Sequence, residues 1–211
     1  NYGFNYGANT HASVSTYKIE SKAPKSKGLY TDINGNKATA YGLIAAAEKA
    51  GLGLYLGSYP ITPATDILHE LAKHKSLGVK TVQCEDEIAG CASAVGAAFA
   101  GALAVTTTSG PGVCLKSEAM NLAVIGELPL VIVNVQRGGP GLGSIQPAQS
   151  DYNQATHAMG HGDFHILVYA PCSVQEMVDT VTLAFDKADQ YRMPAMILAD
   201  GLLGQMMEPV T

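Results

Sequence analysis

From residue 35 onward, short unbroken apolar runs alternate with longer stretches in which apolar residues return every third or fourth position. The runs at 52–56, 79–84, 102–107, 130–135, 166–169 and 195–198 have strand length and are rich in Val, Leu, Ile and Ala. Between them, 37–50, 85–100 and 113–125 predict helices, the first ended by Gly51. Thr62 followed by Pro63 predicts another helix start, with Thr62 as N-cap, continuing to about residue 74. Ser173-Val174-Gln175-Glu176 reads as a capping box, and Val174, Met177, Val178, Val181, Ala184, Phe185 and Ala188 then fall on one helical face. Strands without polar alternation must be covered on both sides. The pattern therefore predicts an α/β fold, a three-layer αβα sandwich around a mostly parallel sheet. Ligands of such sheets bind at the carboxyl ends of strands, which directs attention to the loops after Leu56, Cys84, Thr107, Val135, Tyr169 and Leu198. The polar, Gly-rich connection 138–162 is long enough to be functional or to contain further structure.

Residues 1–34 lack either rhythm. Lys22, Pro24, Lys25, Ser26 and Lys27 cluster there, so the segment is expected to be a linker or arm preceding a domain at 35–211. The chain opens on Asn1 rather than Met and ends at Thr211 without a closing element, as expected of a fragment. An uncharged stretch at 88–105 has the length of a membrane span. Its Ala, Gly, Ser and Cys content partitions weakly and Gly101 interrupts it, so a buried helix followed by a buried strand explains it better. A net charge of −5 without a basic stripe argues against nucleic acid and anionic membranes as partners. Cys84, Cys91, Cys114 and Cys172 form no CxxC pair, so neither a zinc ribbon nor an iron–sulfur motif is encoded, and a reducing, cytoplasmic setting is expected.

The strand-end loops carry the candidate chemistry. Tyr59-Pro60-Ile61-Thr62-Pro63 is a helix start whose free N–H groups could also receive an anion. Glu85-Asp86-Glu87 suits a helix N-terminus electrostatically, yet Glu87 precedes Ile88, Ala89 and Gly90, which belong in the interior. A carboxylate there has its charge disfavoured unless paired, a setting suited to protonating a ring nitrogen. Thr107-Thr108-Ser109-Gly110-Pro111-Gly112 resembles a phosphate-cradling turn. Leu115 stands where a dinucleotide fingerprint needs its third Gly, and Pro111 removes a donor, which weakens a nucleotide-binding dehydrogenase reading. Arg137, before Gly138-Gly139, is either a carboxylate clamp or a surface Arg capping a turn. His157, His161 and His165 are evenly spaced, but Gly160 and Gly162 break the helix a metal site would need, and no metal is assigned.

Taken in order, YPITPATDIL (59–68), EDEIAG (85–90), TSGPG (108–112), ELPLVIVNVQRGGPG (127–141) and HGD (161–163) resemble the α-subunit core of 2-oxoacid:ferredoxin oxidoreductases. The resemblance spans residues 35–208. It points to the 2-oxoglutarate type up to about Gly139 and to the branched-chain 2-oxoisovalerate type from 139–152 through 199–209; residues 1–10 resemble the end of a γ-type domain. It implies the pyrimidine-binding domain of a thiamine-diphosphate fold, with the cofactor shared across a boundary to a diphosphate-binding β subunit. Glu87 would bond the pyrimidine N1′, with Tyr59, Pro60, Ile61, Ser109 and Gly110 also at the cofactor. Thr62 would touch the substrate or the reacting part of the cofactor, and Arg137 would hold the 2-oxoacid carboxylate. Decarboxylation would pass electrons through iron–sulfur centres to ferredoxin and the acyl group to coenzyme A. The diphosphate signature, GDG followed by Asn-Asn, is absent: Asp200-Gly201 follows Ala199. Mg2+ and iron–sulfur clusters are therefore expected in partner subunits of an oligomer. The small-residue helix after Glu87 is the expected partner face, and a non-catalytic scaffold is the competing reading.

Overall fold

A computed structural model describes residues 1–10 and 26–211. Helix α1 (Tyr2–Thr10) is exposed along its whole length. The cluster at Lys22, Pro24 and Lys25 lies outside the described residues. The following elements are β1 (Thr31–Asn34), α2 (Gly35–Ala50), β2 (Leu54–Ser58), α3 (Thr65–Leu71), β3 (Val79–Gln83), α4 (Glu87–Phe99), β4 (Leu103–Thr108) and α5 (Gly110–Ile125). The chain continues through β5 (Leu130–Gln136), α6 (Tyr152–His157), β6 (Leu167–Tyr169), α7 (Val174–Tyr191), β7 (Ala195–Asp200), α8 (Gly201–Gln205) and β8 (Met207–Val210).

The main sheet has the order β3-β2-β4-β5-β7-β6, and every pairing in it is parallel. Successive side chains of a strand leave opposite faces, so each central strand feeds two cores. Leu56, Val105, Val131, Val133 and Ile197 pack with α2, α3 and α7. Ala104, Leu130, Ile132, Met196 and Leu198 pack with α4, α5 and α6. This is the expected three-layer α/β architecture.

Several boundaries differ from the sequence expectation. β2 begins at Leu54 rather than Leu52, and α4 begins at Glu87 because Asp86 is its cap. α5 begins at Gly110, with Pro111 in the first turn where its missing N–H costs nothing. Residues 31–34, expected to be part of an arm, form β1, which pairs antiparallel with β8 beside the main sheet. Ile33 seals a third cluster with Val174, Met177 and Leu203. The long connection 138–162 contains α6. No helix among the described residues is long and apolar enough to cross a membrane. The small-residue side of α4 is spent inside the domain. A Cβ on Gly57 would lie 2.2 Å from Ser93 Oγ, and one on Gly90 would lie 3.0 Å from the Ser58 backbone. Only side chains this small let α4 approach β2 so closely.

Candidate functional site

The chain leaves β2 through α3 toward β3 on one side and leaves β4 through α5 toward β5 on the other. The winding of the sheet reverses between β2 and β4, and a crevice opens there at the carboxyl ends of the strands. The loops after β3, β2, β4 and β5 line this edge in spatial order. Their strands span roughly 14 Å at ordinary sheet spacing.

The three acids after β3 take separate roles. Glu85 is exposed. Asp86 caps α4, its Oδ1 accepting from the Ala89 N–H at 2.8 Å. Glu87, the first residue of the helix, is 7% exposed. A Cβ on Gly112 would lie 2.2 Å from Thr108 Oγ1, 3.0 Å from Glu87 Cγ and 3.1 Å from Glu87 Oε1. The Glu87 carboxylate therefore lies against the glycine turn that starts α5.

That turn has unspent polar capacity. Ser109 occupies the N-cap of α5 in extended conformation but makes no side-chain cap bond, and its buried Oγ has no partner. Asn134 Nδ2 donates to Asp151 Oδ2 at 3.1 Å, while the buried Asn134 Oδ1 is unpartnered. Gly110 is required here because a Cβ would come 2.6 Å from Asp151 Oδ2. Asp151 is itself fixed by donating its N–H to Gln136 Oε1 at 2.9 Å, and Gln154 donates to the Gly110 carbonyl at 3.2 Å. At the far end of the edge, Asp200 caps α8 through the N–H groups of Leu202 and Leu203 and accepts from Gln149 at 2.7 Å.

In the loop after β2, Tyr59 and Thr62 are exposed and Pro60 and Ile61 half-buried. Thr62 does not cap a helix. The Ile61 carbonyl accepts from Ala64 and Thr65, and α3 starts two residues late, with Ala64 at its N-cap and no side-chain cap bond. The Thr62 carbonyl instead receives Arg137 Nη1 at 2.8 Å, and Arg137 Nη2 donates to the Leu142 carbonyl at 2.8 Å. Arg137 therefore ties the β2 loop to the β5 loop, and its buried Nε has no partner. Of the two sequence readings of Arg137, these bonds answer to the turn-organising one.

Sequence reasoning missed Lys116. It is fully buried on α5 and donates to Thr106 Oγ1 at 2.9 Å and to the Glu87 carbonyl at 3.3 Å. The signal was available: Val113, Lys116, Met120 and Ala123 share one helical face, and three of the four are apolar. Asn134 and Asp151 were missed because nothing local marks them. The histidines do not converge: His157 and His165 meet edge to face at 6.5 Å, and His161 is exposed. Among the described residues no three His, Cys, Asp or Glu side chains gather as a metal site would need.

Outside the crevice, α4 and α5 turn apolar side chains to the surface. Ile88, Ala92, Leu122, Ile125 and Phe164 line a groove of 690 Å3, with Ile125 82% exposed. A monomeric surface rarely exposes such a continuous apolar strip.

Residues 46–211 match the family model described as pyruvate flavodoxin/ferredoxin oxidoreductase, thiamine diP-bdg. The chain is 48% identical over 208 residues to the 2-oxoglutarate oxidoreductase subunit KorA of Mycobacterium tuberculosis, covering 98% of this chain and 32% of that protein. It is 50% identical over 179 residues to the ketoisovalerate oxidoreductase subunit VorB of Methanothermobacter marburgensis, covering 84% of this chain and 49% of the relative. The structure superposes on a 2-oxoglutarate:ferredoxin oxidoreductase from Magnetococcus marinus, solved with 2-oxoglutarate, coenzyme A and succinyl-CoA bound. That match has a TM-score of 0.83 and 34% identity, and covers 99% of this chain and 36% of the other. The chain thus spans a third to a half of the length of these proteins. It belongs to the thiamine-diphosphate-binding family of pyruvate flavodoxin/ferredoxin oxidoreductases.

Proposed function

We propose that this chain supplies the pyrimidine side of a thiamine-diphosphate site that serves oxidative decarboxylation of a 2-oxoacid, with coenzyme A and ferredoxin as the other reactants. The observation that carries this reading is the buried Glu87 carboxylate at the start of α4, packed against the glycine turn of α5 at the reversal of the sheet. The residues present fit the aminopyrimidine end of the cofactor. A carboxylate, the orphaned Ser109 Oγ and the orphaned Asn134 Oδ1 provide hydrogen-bonding capacity, and Gly110 and Gly112 keep the turn bare. In this reading Glu87 holds or moves a proton at the ring nitrogen N1′, while Tyr59, Pro60, Ile61, Ser109 and Gly110 surround the ring. Thiamine diphosphate, when bound, supplies the electron sink for loss of CO2.

Thr62 and Arg137 take the substrate side. Arg137 is already anchored by two carbonyls, so its guanidinium plane is held beside Thr62, where it would meet the 2-oxoacid carboxylate. Mg2+, the diphosphate contacts and the iron–sulfur centres belong, in this proposal, to partner subunits, and residues 1–10 to the end of a γ-type domain. The apolar strip on α4 and α5 is the proposed seat of the diphosphate-binding subunit, because it begins at Ile88, next to Glu87. The complex is proposed to work in the cytoplasm.

The test is 2-oxoacid-dependent viologen reduction by the assembled complex, with Glu87→Gln compared with the wild type and both 2-oxoglutarate and 2-oxoisovalerate offered. Loss of a proton-holding group typically costs 10²- to 10⁴-fold in rate. A fall of that size in kcat, with assembly intact, is expected. Unchanged turnover in the Gln variant would favour a scaffold role.

A further inference from the structure

Lys116 occupies an interior position where an apolar side chain would serve packing better. The next residue on the same face of α5, Met120, is also fully buried, and Val113 and Ala123 flank the pair. Taking an ammonium out of water costs folding free energy that a methionine would not. What the charge delivers is local to Glu87. Its Nζ reaches the Glu87 carbonyl in the first turn of α4 and Thr106 Oγ1 on β4, linking both elements to α5 at the edge of the crevice.

We propose that Lys116 is the positioning residue for Glu87: by holding the Glu87 carbonyl and Thr106 Oγ1 from inside the domain, it fixes the first turn of α4 and so the place of the Glu87 side chain in the crevice. This rests on the reading of Glu87 as the cofactor's proton partner and deepens it. The groups facing the ammonium are Glu87 and Cys91 on α4, Asp86 and Cys84 just before it, and Thr106 on β4. Burial pushes Lys116 down from the usual lysine range, and the charges of Cys91, Glu87, Cys84 and Asp86 pull it back. Cys91 is itself pushed up to about 11 by its burial, and the charge of Lys116 acts against that. Thr106 Oγ1 accepts from Lys116, so its hydroxyl supports the charged amine.

The experiment compares wild type, Lys116→Met, Thr106→Val and Glu87→Gln in the assembled complex. Three quantities are read: melting temperature, kcat against KM for the 2-oxoacid, and the circular dichroism of bound thiamine diphosphate. Lys116→Met should melt at the wild-type temperature or above it. Its kcat should fall by roughly tenfold or more with KM for the 2-oxoacid unchanged, and the dichroism of its bound cofactor should lose amplitude, since a small misplacement of a reacting group costs rate on that scale. Thr106→Val should move both in the same direction by less, and it decides the matter if Lys116→Met does not assemble. Wild-type kcat and dichroism overturn the proposal, as does a loss that only follows a lowered melting temperature. If Glu87→Gln is also without effect, the cofactor reading itself has failed. If Glu87→Gln alone collapses, only the role of Lys116 has.

Discussion

Gly112 is where sequence, packing and chemistry meet in one residue. The turn after β4 must pass beneath Thr108 and beside Glu87, and the space there admits a hydrogen but no methyl group. A Cβ would fall 2.2 Å from Thr108 Oγ1, far inside contact distance. Because Thr108 is buried and belongs to a central strand, the strain would be relieved by displacing the first turn of α5 or the Glu87 side chain. Overpacking of this kind costs about 1–3 kcal/mol, which for a domain of this size lowers the melting temperature by roughly 2–10 °C. Gly112→Ala is thus expected to lose stability and thiamine-diphosphate affinity together, by tenfold or more in the latter. Calorimetry of the variant and titration of the assembled complex check both. Wild-type cofactor affinity in a variant that melts early would separate the turn from the cofactor site.

At the scale of elements, the parts that could be read from the sequence were those whose cause is local. α7 is the clearest. Its apolar stripe and its cap are written in consecutive residues, and Ser173 Oγ accepts from the Glu176 N–H at 3.1 Å as expected. The reciprocal bond differs slightly: Glu176 accepts from Cys172, one residue before the cap, at 2.8 Å. Ser173→Ala should cost about 1 kcal/mol, or roughly 2–4 °C in melting temperature, without changing turnover. A wild-type melting curve would mean that the Glu176 bond alone suffices to start the helix. The elements that escaped sequence reading depend on distant partners. β1 and β8 are four residues each, and Thr31 finds Val210 across nearly the whole domain, so neither strand has a pattern of its own. Thr62 reads as a cap in isolation. Its carbonyl is claimed by Arg137, 75 residues away, and the helix starts later. Glu87 was legible because an acid followed by small apolar residues is locally inconsistent. Lys116 was legible in principle by the same argument on α5. Asn134 and Asp151 required the folded chain to bring them together.

For the whole molecule, the arrangement of small and large residues on α4 and α5 separates inner from outer surfaces. α4 is the helix expected to meet a partner; its small side packs against β2, with Gly57, Gly90 and Ala94 inside, which leaves its outward side for that face. The outward side carries Ile88 and Phe99, at 47% and 65% exposure, and α5 adds Leu115, Leu122 and Ile125. This strip runs away from the start of the helix that presents Glu87, so a subunit seated on it would cover the crevice from one side. Burying each such aliphatic side chain is worth about 1.5–3 kcal/mol, and 1.4 kcal/mol is tenfold in affinity. Leu122→Asp with Ile125→Asp should therefore weaken assembly with the diphosphate-binding subunit by about a hundredfold or more. Both residues face solvent in the isolated chain, so its melting temperature should not fall, and its tendency to self-associate should decrease. Size-exclusion chromatography of the co-expressed subunits reads the assembly, and calorimetry of the isolated variant reads the fold. Undiminished co-elution would place the partner on another face of the domain, away from the strip that begins beside Glu87.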